Sequence, residues 1–322
     1  MTQSRGVSRD VSAVDALALL RKFFGPTRLV RSEPLSRITG GEVYLKLERD
    51  LPTGSFKVRG ALFSLSEAIE REAITEVVAA STGNHGSAVA FAAATLTRRA
   101  TIFLPEKANP VKRSWIESFG AQIIEHGQDL TAARAAAEEY ALRNRAFLLD
   151  DAEAPDIPLG AATIALEIDA ELANVDEIFV PVGDSALIRG VGGTMRTLQP
   201  RARVSGVQAE QAPAYYLSWR AGRVITTDDC DTIADGLATR TPRAENVAAL
   251  RDCVDDMQLV SEEQLSQAVR LLSSEGVIAE PSGAASVAAL LNHRDRLARR
   301  TVVALITGGN LDPSSLPPAT DT

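Results

Sequence analysis

Hydrophobic and polar positions along this chain follow two periods in turn. Short β-rich runs predict strands at VYLKLE (43–48), EVVAAS (76–81), ATIFLP (100–105), AQIIEH (121–126), FLLD (147–150), EIFVPV (177–182), RVSGVQAE (203–210) and VVALIT (302–307). Several of them show little alternation, the pattern of strands covered on both faces. Between them, helical spacing predicts helices near 57–72, 84–97, 109–119, 130–144, 157–173, 186–198, 261–275 and 282–298. SEEQ (261–264) reads as a capping box that opens one of these helices. The strand–helix rhythm of ~30 residues predicts an α/β protein with mostly parallel sheets. No low-complexity linker divides the chain and no sequence repeat is present. The tail LDPSSLPPATDT is rich in Pro and Ser and is expected to fray.

Four stretches of small polar residues punctuate this pattern. They are PTGSFKVRG (52–60), ASTGNHGSAVA (80–90), PVGDSALIRGVGG (181–193) and ITGGN (306–310). Each precedes a predicted helix, ends a predicted strand, or does both. In open parallel sheets, ligands bind outside the carboxyl ends of the strands. Glycines there let backbone N–H groups approach an anion, and a following helix N-terminus adds a favourable dipole. A single turn of this kind is usually only a turn, and a single lysine is usually a solvated charge. Together they predict a shared crevice in which one loop holds a phosphate, another a carboxylate, and Lys57 stands between them.

Composition narrows the chemistry. The 322 residues carry a net charge of −8, with 45% hydrophobic and 24% charged residues. That is ordinary for a soluble globular protein and argues against nucleic acid or an anionic membrane as a partner. Two cysteines, Cys230 and Cys253, and three scattered histidines offer no zinc or disulfide framework. The N-terminal stretch lacks the apolar segment of a signal peptide, and no apolar run reaches the ~20 residues of a membrane span. A cytoplasmic protein is expected. No G-x-G-x-x-G follows a strand and no G-x-x-x-x-G-K-[ST] is present, so a dinucleotide or triphosphate enzyme is not expected. A lysine in a glycine-lined cleft beside a phosphate cradle suits a covalent bond between its amine and the aldehyde of pyridoxal 5′-phosphate. Desolvation would bring that amine toward its neutral, nucleophilic form.

PTGSFKVRGA, STGNHGSA, the loop after EIFVPV, EPSGAA (280–285) and ITGGN occur in the order found in fold-type II pyridoxal-phosphate enzymes. Over residues 20 to 312 the chain resembles their threonine/serine dehydratase and serine racemase branch. The resemblance implies two open, twisted, mostly parallel sheets flanked by helices, as in the tryptophan synthase β fold. The cofactor would lie in the cleft between a large domain (1–47 and 153–322) and a small substrate-side domain (48–152). It implies that Lys57 bonds the cofactor and moves the α-proton, with Phe56 beside the ring. Asn84 would bond the ring oxygen, and Gly183, Asp184, Ser185, Ala186 and Leu187 would cradle the phosphate. Thr307 would face the pyridine nitrogen. Ser81, Thr82, Gly83 and His85 would receive the substrate carboxylate, with Asp235 and Gly236 lining the site. Thr82 also stands where racemases carry a catalytic serine.

The implied reaction removes water from a 2-amino-3-hydroxy acid, giving a 2-oxo acid and ammonia. Serine or threonine would fit, and the aromatic stretch APAYYLSW (212–219) raises a bulkier aryl-serine such as phenylserine. Those rings also read as core or interface residues. Hydroxyectoine-type catabolic dehydratases are another related reading. Racemisation, β-replacement on the same fold and a non-enzymatic binding protein are the alternatives. The sequence departs from the family in three places. The usual four-glycine phosphate loop reads Gly183-Asp184-Ser185-Ala186, so Asp184 must turn its charge away from the phosphate. Thr82 replaces the racemase serine. Tyr216 stands where a second metal carboxylate would follow Glu210, so no metal requirement is expected. ITGGN lies near the end of the sequence, where biosynthetic threonine dehydratases continue into a regulatory domain, so feedback control by a distant amino acid is not expected. The family tendency is a homodimer.

Overall fold

The computed structural model describes residues 11–81, 83–108 and 110–311. Thr82, expected to have both a catalytic and a carboxylate-binding role, lies outside the described residues, as does most of the Pro/Ser-rich tail. The strands are β1 (Leu29–Arg31), β2 (Glu42–Leu47), β3 (Glu76–Ala80), β4 (Arg99–Leu104), β5 (Gln122–Glu125), β6 (Phe147–Leu148), β7 (Glu177–Pro181), β8 (Arg203–Ala209), β9 (Asp256–Val260) and β10 (Thr301–Ile306). The helices are α1 (Ala13–Leu20), α2 (Glu33–Thr39), α3 (Lys57–Arg71), α4 (Asn84–Thr95), α5 (Pro110–Ser118), α6 (Leu130–Asn144), α7 (Ile157–Glu171), α8 (Ala186–Leu198), α9 (Ala214–Ala221), α10 (Ala244–Cys253), α11 (Glu262–Ser274) and α12 (Pro281–Asn292).

Two sheets form. The larger runs β1-β2-β10-β7-β8-β9, and the smaller runs β5-β4-β3-β6. Among the strands of the described residues, only β1 pairs antiparallel, against β2. All other pairs are parallel. This is the α/β architecture of two mostly parallel sheets flanked by helices. Strand β7 is buried at every position, and β8 and β10 at all but the first, because helices cover both faces. Helix α12, rich in Ala, is buried from Pro281 to Leu290 against the large sheet. Helices α3 and α4 share the core of the small sheet with Val77, Ala79, Ile102 and Leu104.

Register aligns the carboxyl ends. Leu47 pairs with Ile306 across β2 and β10, and Ala80 with Phe103 across β3 and β4. Turns that leave these strands therefore start at a common level. The predicted capping box is present: Ser261 Oγ accepts from the Gln264 amide at 3.3 Å, and Gln264 Oε1 accepts from the Ser261 amide at 2.8 Å. The helix predicted over 282–298 stops at Asn292, and a separate 3₁₀ turn covers Arg294–Arg296. Among the described residues, no helix is long and apolar enough to cross a membrane.

Candidate active site

Lys57 opens α3. Gly54 before it has φ +68°, and a Cβ there would stand 2.2 Å from Asn310 Oδ1, so both conformation and space require glycine. The Lys57 turn is stitched to the ITGGN turn. The Phe56 amide donates to Thr307 O at 2.9 Å, and the Gly309 amide donates to Gly54 O at 2.9 Å. Ser55 and Gly308 form a bridge pair. Thr307 is buried. The Lys57 ammonium lies 5.1 Å from the centre of the Phe56 ring, so Phe56 supplies one wall.

The second turn meets the same place. Asn310 Nδ2 donates to Thr53 O at 2.7 Å and to Asn84 Oδ1 at 2.8 Å. Asn84 Nδ2 in turn donates to Glu280 Oε1 at 2.6 Å. Helix α4 begins at Asn84, so its first amides are free of helical partners and point at the cleft. The Gly83 amide donates to Ser81 Oγ at 3.3 Å. His85 Nε2 lies 2.9 Å from Leu149 O. A carbonyl only accepts, so Nε2 carries a proton and Nδ1 faces Asp151 Oδ1 at 3.6 Å.

The third turn brings the N-terminus of α8 to the cleft. Ser185 caps α8 with φ +70°, a left-handed conformation that costs a non-glycine residue about 1 kcal/mol or more. That explains why glycine suits this position in related loops. The first amides of α8 have no helical partner. A Cβ on Gly183 would stand 2.4 Å from Gly236 O, and the Gly236 amide donates to Ser282 Oγ at 2.9 Å. Gly236 thus packs against the Gly183 turn. Asp235, exposed beside it, pairs its carboxylate with Lys112 across the mouth. Asp184 Oδ1 accepts from Thr239 Oγ1 at 3.2 Å. Burial, then the nearby Asp151 charge, raises the Asp184 pKa. Tyr215 supports the loop from below, with its hydroxyl 3.4 Å from Asp184 O, and is fully buried. Tyr216 and Trp219 pack against the same core. Tyr215 is therefore core, whereas Tyr216 and Trp219 are half-buried and Leu217 is exposed. Tyr216 Oη accepts from Arg220 at 2.9 Å, and Glu210 is exposed.

Three charged groups of the cleft went unassigned in the sequence. Asp151, in the loop after β6, pairs with Lys57. Burial alone would raise its pKa, but the charges of Lys57 and His85 hold it below the usual carboxylate range. Glu280, the N-cap of α12, faces Asn84 and Gly308, and burial pushes its pKa up to about 7. Arg59 sits two residues beyond Lys57, fully buried. It donates to Glu48 at 2.7 and 3.0 Å and to Glu167 at 2.8 and 2.9 Å. Lys46 adds a 2.7 Å contact to Glu167. This network clamps the start of α3 to α7 and to the turn after β2. The quoted motifs already contained two signals: the Arg of SFKVRG and the Glu of EPSGAA. Asp151 had no such signal.

The Glu280 proton has a consequence for stability. An unfolded chain releases it near the ordinary 4.5, and the folded protein near 7. The folded state holds the proton more tightly, so stability is full below about pH 4.5 and falls as pH rises through 7, by on the order of 3 kcal/mol. Urea midpoints at pH 5.5 and pH 8 should differ by more in the parent than in Glu280→Gln. An equal difference in both would remove Glu280 from this role.

The cleft has the donors for a phosphate-bearing, amine-bonded cofactor. Ser185 Oγ is buried beside the α8 N-terminus with no hydrogen bond of normal geometry among the described residues, although the Tyr215 hydroxyl is near. It is a donor held in reserve where an anion would sit. A Cβ on Gly308 would stand 2.0 Å from Glu280 Oε1, so the wall opposite has no room for a side chain. Fold and cleft together define an α/β enzyme built around one lysine and an anion cradle. A family model described as "Pyridoxal-phosphate dependent enzyme" matches residues 20–308, and the chain belongs to that family. It is 37% identical over 299 residues to the L-threonine ammonia-lyase of Thermotoga maritima, covering 92% of this chain and 74% of that protein. Among solved structures it is similar to the processed form of threonine deaminase isoform 2 from Solanum lycopersicum, with TM-score 0.90 and 28% identity, covering 94% and 89% of the two chains. It is also similar to maize serine racemase, with TM-score 0.89 and 26% identity, covering 94% of each. Pyridoxal phosphate is the cofactor of this family.

Proposed function

We propose that the protein is a pyridoxal-phosphate-dependent lyase that removes water from a 2-amino-3-hydroxy acid, giving a 2-oxo acid and ammonia. One observation carries the reading. The Lys57 amine opens into a cleft bounded by two helix N-termini, one with the unpartnered Ser185 hydroxyl and one at Asn84. The similarity to the threonine ammonia-lyase supports it. The amides from Gly183 to Leu187 would hold the phosphate, Asn84 the ring oxygen and Thr307 the pyridine nitrogen. When bound, the cofactor supplies an electron sink for the electrons left by the departing α-proton.

The chain's own groups handle carboxylate and protons. Ser81, His85 and the first amides of α4 receive the substrate carboxylate, a charge-assisted contact that orients the α-carbon. Thr82 belongs to the same segment. The Lys57 amine takes the α-proton, and its ammonium can pass a proton to the leaving β-hydroxyl, which departs as water. The neutral hydroxyl of Thr307 offers the ring nitrogen a hydrogen bond and no full charge, which favours elimination over amino-group transfer. The released enamine takes up water and yields the 2-oxo acid and ammonia.

The proposed division has 48–152 as the substrate-side domain and 1–47 with 153–322 as the cofactor-binding domain, in a cytoplasmic homodimer. The bulkier aryl-serine belongs to the same proposal as the smaller serine and threonine. A second reading, racemisation, has the maize racemase similarity in its favour. The proposal is tested with a panel of 3-hydroxy amino acids, scored for 2-oxo acid and ammonia. Equimolar release from at least one member is expected, and release from none would overturn it.

A further inference from the structure

Tyr215 on α9 and Asn246 on α10 are both fully buried beneath the loop that opens α8. The orientation of the Asn246 amide is fixed by its surroundings. Its Nδ2 lies 3.2 Å from Ala152 O, and a carbonyl only accepts, so this is the donor end of the side chain. The second proton of Nδ2 goes to Tyr215 Oη at 3.3 Å. The Arg243 backbone amide also lies near that oxygen. Burial raises the Tyr215 pKa, so the hydroxyl keeps its own proton.

With donors on its oxygen, Tyr215 must give its proton to the Asp184–Ser185 turn. Asp184 O receives it only at 3.4 Å, which is long for a hydroxyl donor. Ser185 Oγ is the other acceptor near it, buried and without a hydrogen bond of normal geometry among the described residues. Asp184 Oδ1 is taken by Thr239 Oγ1 at 3.2 Å. Ser185 is also held at φ +70°, where glycine would rest without strain. A side chain kept in a strained backbone, with its hydroxyl buried and unbonded, points to a use for that hydroxyl. The first amides of α8 beside it are where an anion is favoured.

Taking this turn as the phosphate cradle described above, we propose that Tyr215 is a positioning residue for the cofactor phosphate, the middle member of a donor relay that runs from Asn246 through Tyr215 and Ser185 to the anion. Tyr215 gives its proton to Ser185 Oγ, which leaves the Ser185 proton free to point at the phosphate. Each donor polarises the next, and the last bond is made to a charged acceptor. Asn246 also holds Ala152 O, next to Asp151, so the relay ties the anion loop to the loop that pairs with Lys57.

The test titrates the full chain, freed of cofactor, with pyridoxal 5′-phosphate and with pyridoxal, which has the same aldehyde and ring but no phosphate. Tyr215→Phe keeps the ring and removes the hydroxyl. It should raise the Kd for pyridoxal phosphate about 3- to 10-fold and leave that for pyridoxal unchanged. Ser185→Gly suits the backbone of its position, so it keeps the fold, and should raise the Kd for pyridoxal phosphate about 10-fold or more, again with pyridoxal unchanged. Adding Tyr215→Phe to Ser185→Gly should cost less than about twofold more, because the relay has already lost its last member. Equal losses for the two ligands in Tyr215→Phe, an unchanged Kd for pyridoxal phosphate in either single variant, or a Tyr215→Phe loss that persists beside Ser185→Gly would overturn the inference. The expected pattern without 2-oxo acid from any 3-hydroxy acid would support the relay and refute the dehydratase reading. A parent that does not bind pyridoxal phosphate would overturn both.

Discussion

Lys57→Ala should no longer bond pyridoxal phosphate, should lose the visible absorption of the bound cofactor, and should fall in turnover by on the order of 10³-fold or more. The amine is the nucleophile that the Lys57 turn presents to the cleft. Alanine also leaves the Asp151 carboxylate buried beside His85 without its lysine. The Ala variant should therefore lose stability as well as chemistry, and the loss should shrink at acid pH, where Asp151 takes a proton. Lys57→Arg separates the two effects. Its guanidinium keeps the charge that Asp151 needs, yet stays protonated and cannot act as a nucleophile or base. Arg should restore much of the stability and none of the absorption or turnover. A retained absorption band in either variant would place the covalent bond elsewhere.

Arg59→Ala should destabilise the fold by about 3–5 kcal/mol, because it removes one partner from a buried ion network, takes the ion-pair partner from Glu48 and takes one of three cations from Glu167. Glu48 would keep one hydroxyl donor, Thr27 Oγ1 at 2.7 Å. Glu167 would keep Lys46 and Arg21, at 2.7 and 2.9 Å. The Glu167 carboxyl, which burial would raise but Arg59 and Lys46 hold at about 2, should then titrate higher. Arg59→Lys should fall between parent and Ala, since one ammonium cannot replace a guanidinium that bonds two carboxylates at once. The measurement is the urea midpoint, read with an unchanged slope. A loss below about 1 kcal/mol for Ala would mean that the network reorganises around the gap.

Periodicity made most of the framework legible, because long strands buried on both faces and Ala-rich helices leave an unbroken apolar signature. It passed over β1 and β9. The first has three residues, and the second, DMQLV, mixes polar and apolar positions. The helices α1, α2, α9 and α10 are short, at 8, 7, 8 and 10 residues, and depend on tertiary packing more than on their own pattern. The cleft was legible through its glycines, whose backbone demands are local: Gly54 is fixed by a positive φ and by the nearness of Asn310. The charges behind the cleft were not. Arg59 and Glu167 are 108 residues apart, Lys57 and Asp151 are 94 apart, and Asn84 and Glu280 are 196 apart. Such pairs exist only once the two sheets have folded, and no spacing along the chain announces them. Of the aromatic stretch, Tyr215 is buried beneath the loop that holds Asp184.

The central claim is that this cleft eliminates water in preference to inverting the α-carbon. The direct measurement follows a single enantiomer of serine in heavy water with the holoenzyme, counting pyruvate, ammonia and the opposite enantiomer over time. The account predicts pyruvate and ammonia in equal amounts, well ahead of deuterated serine of inverted configuration. Inversion that outpaces pyruvate would contradict it, and would assign to Thr82 or another group the second-face proton transfer that this account denies.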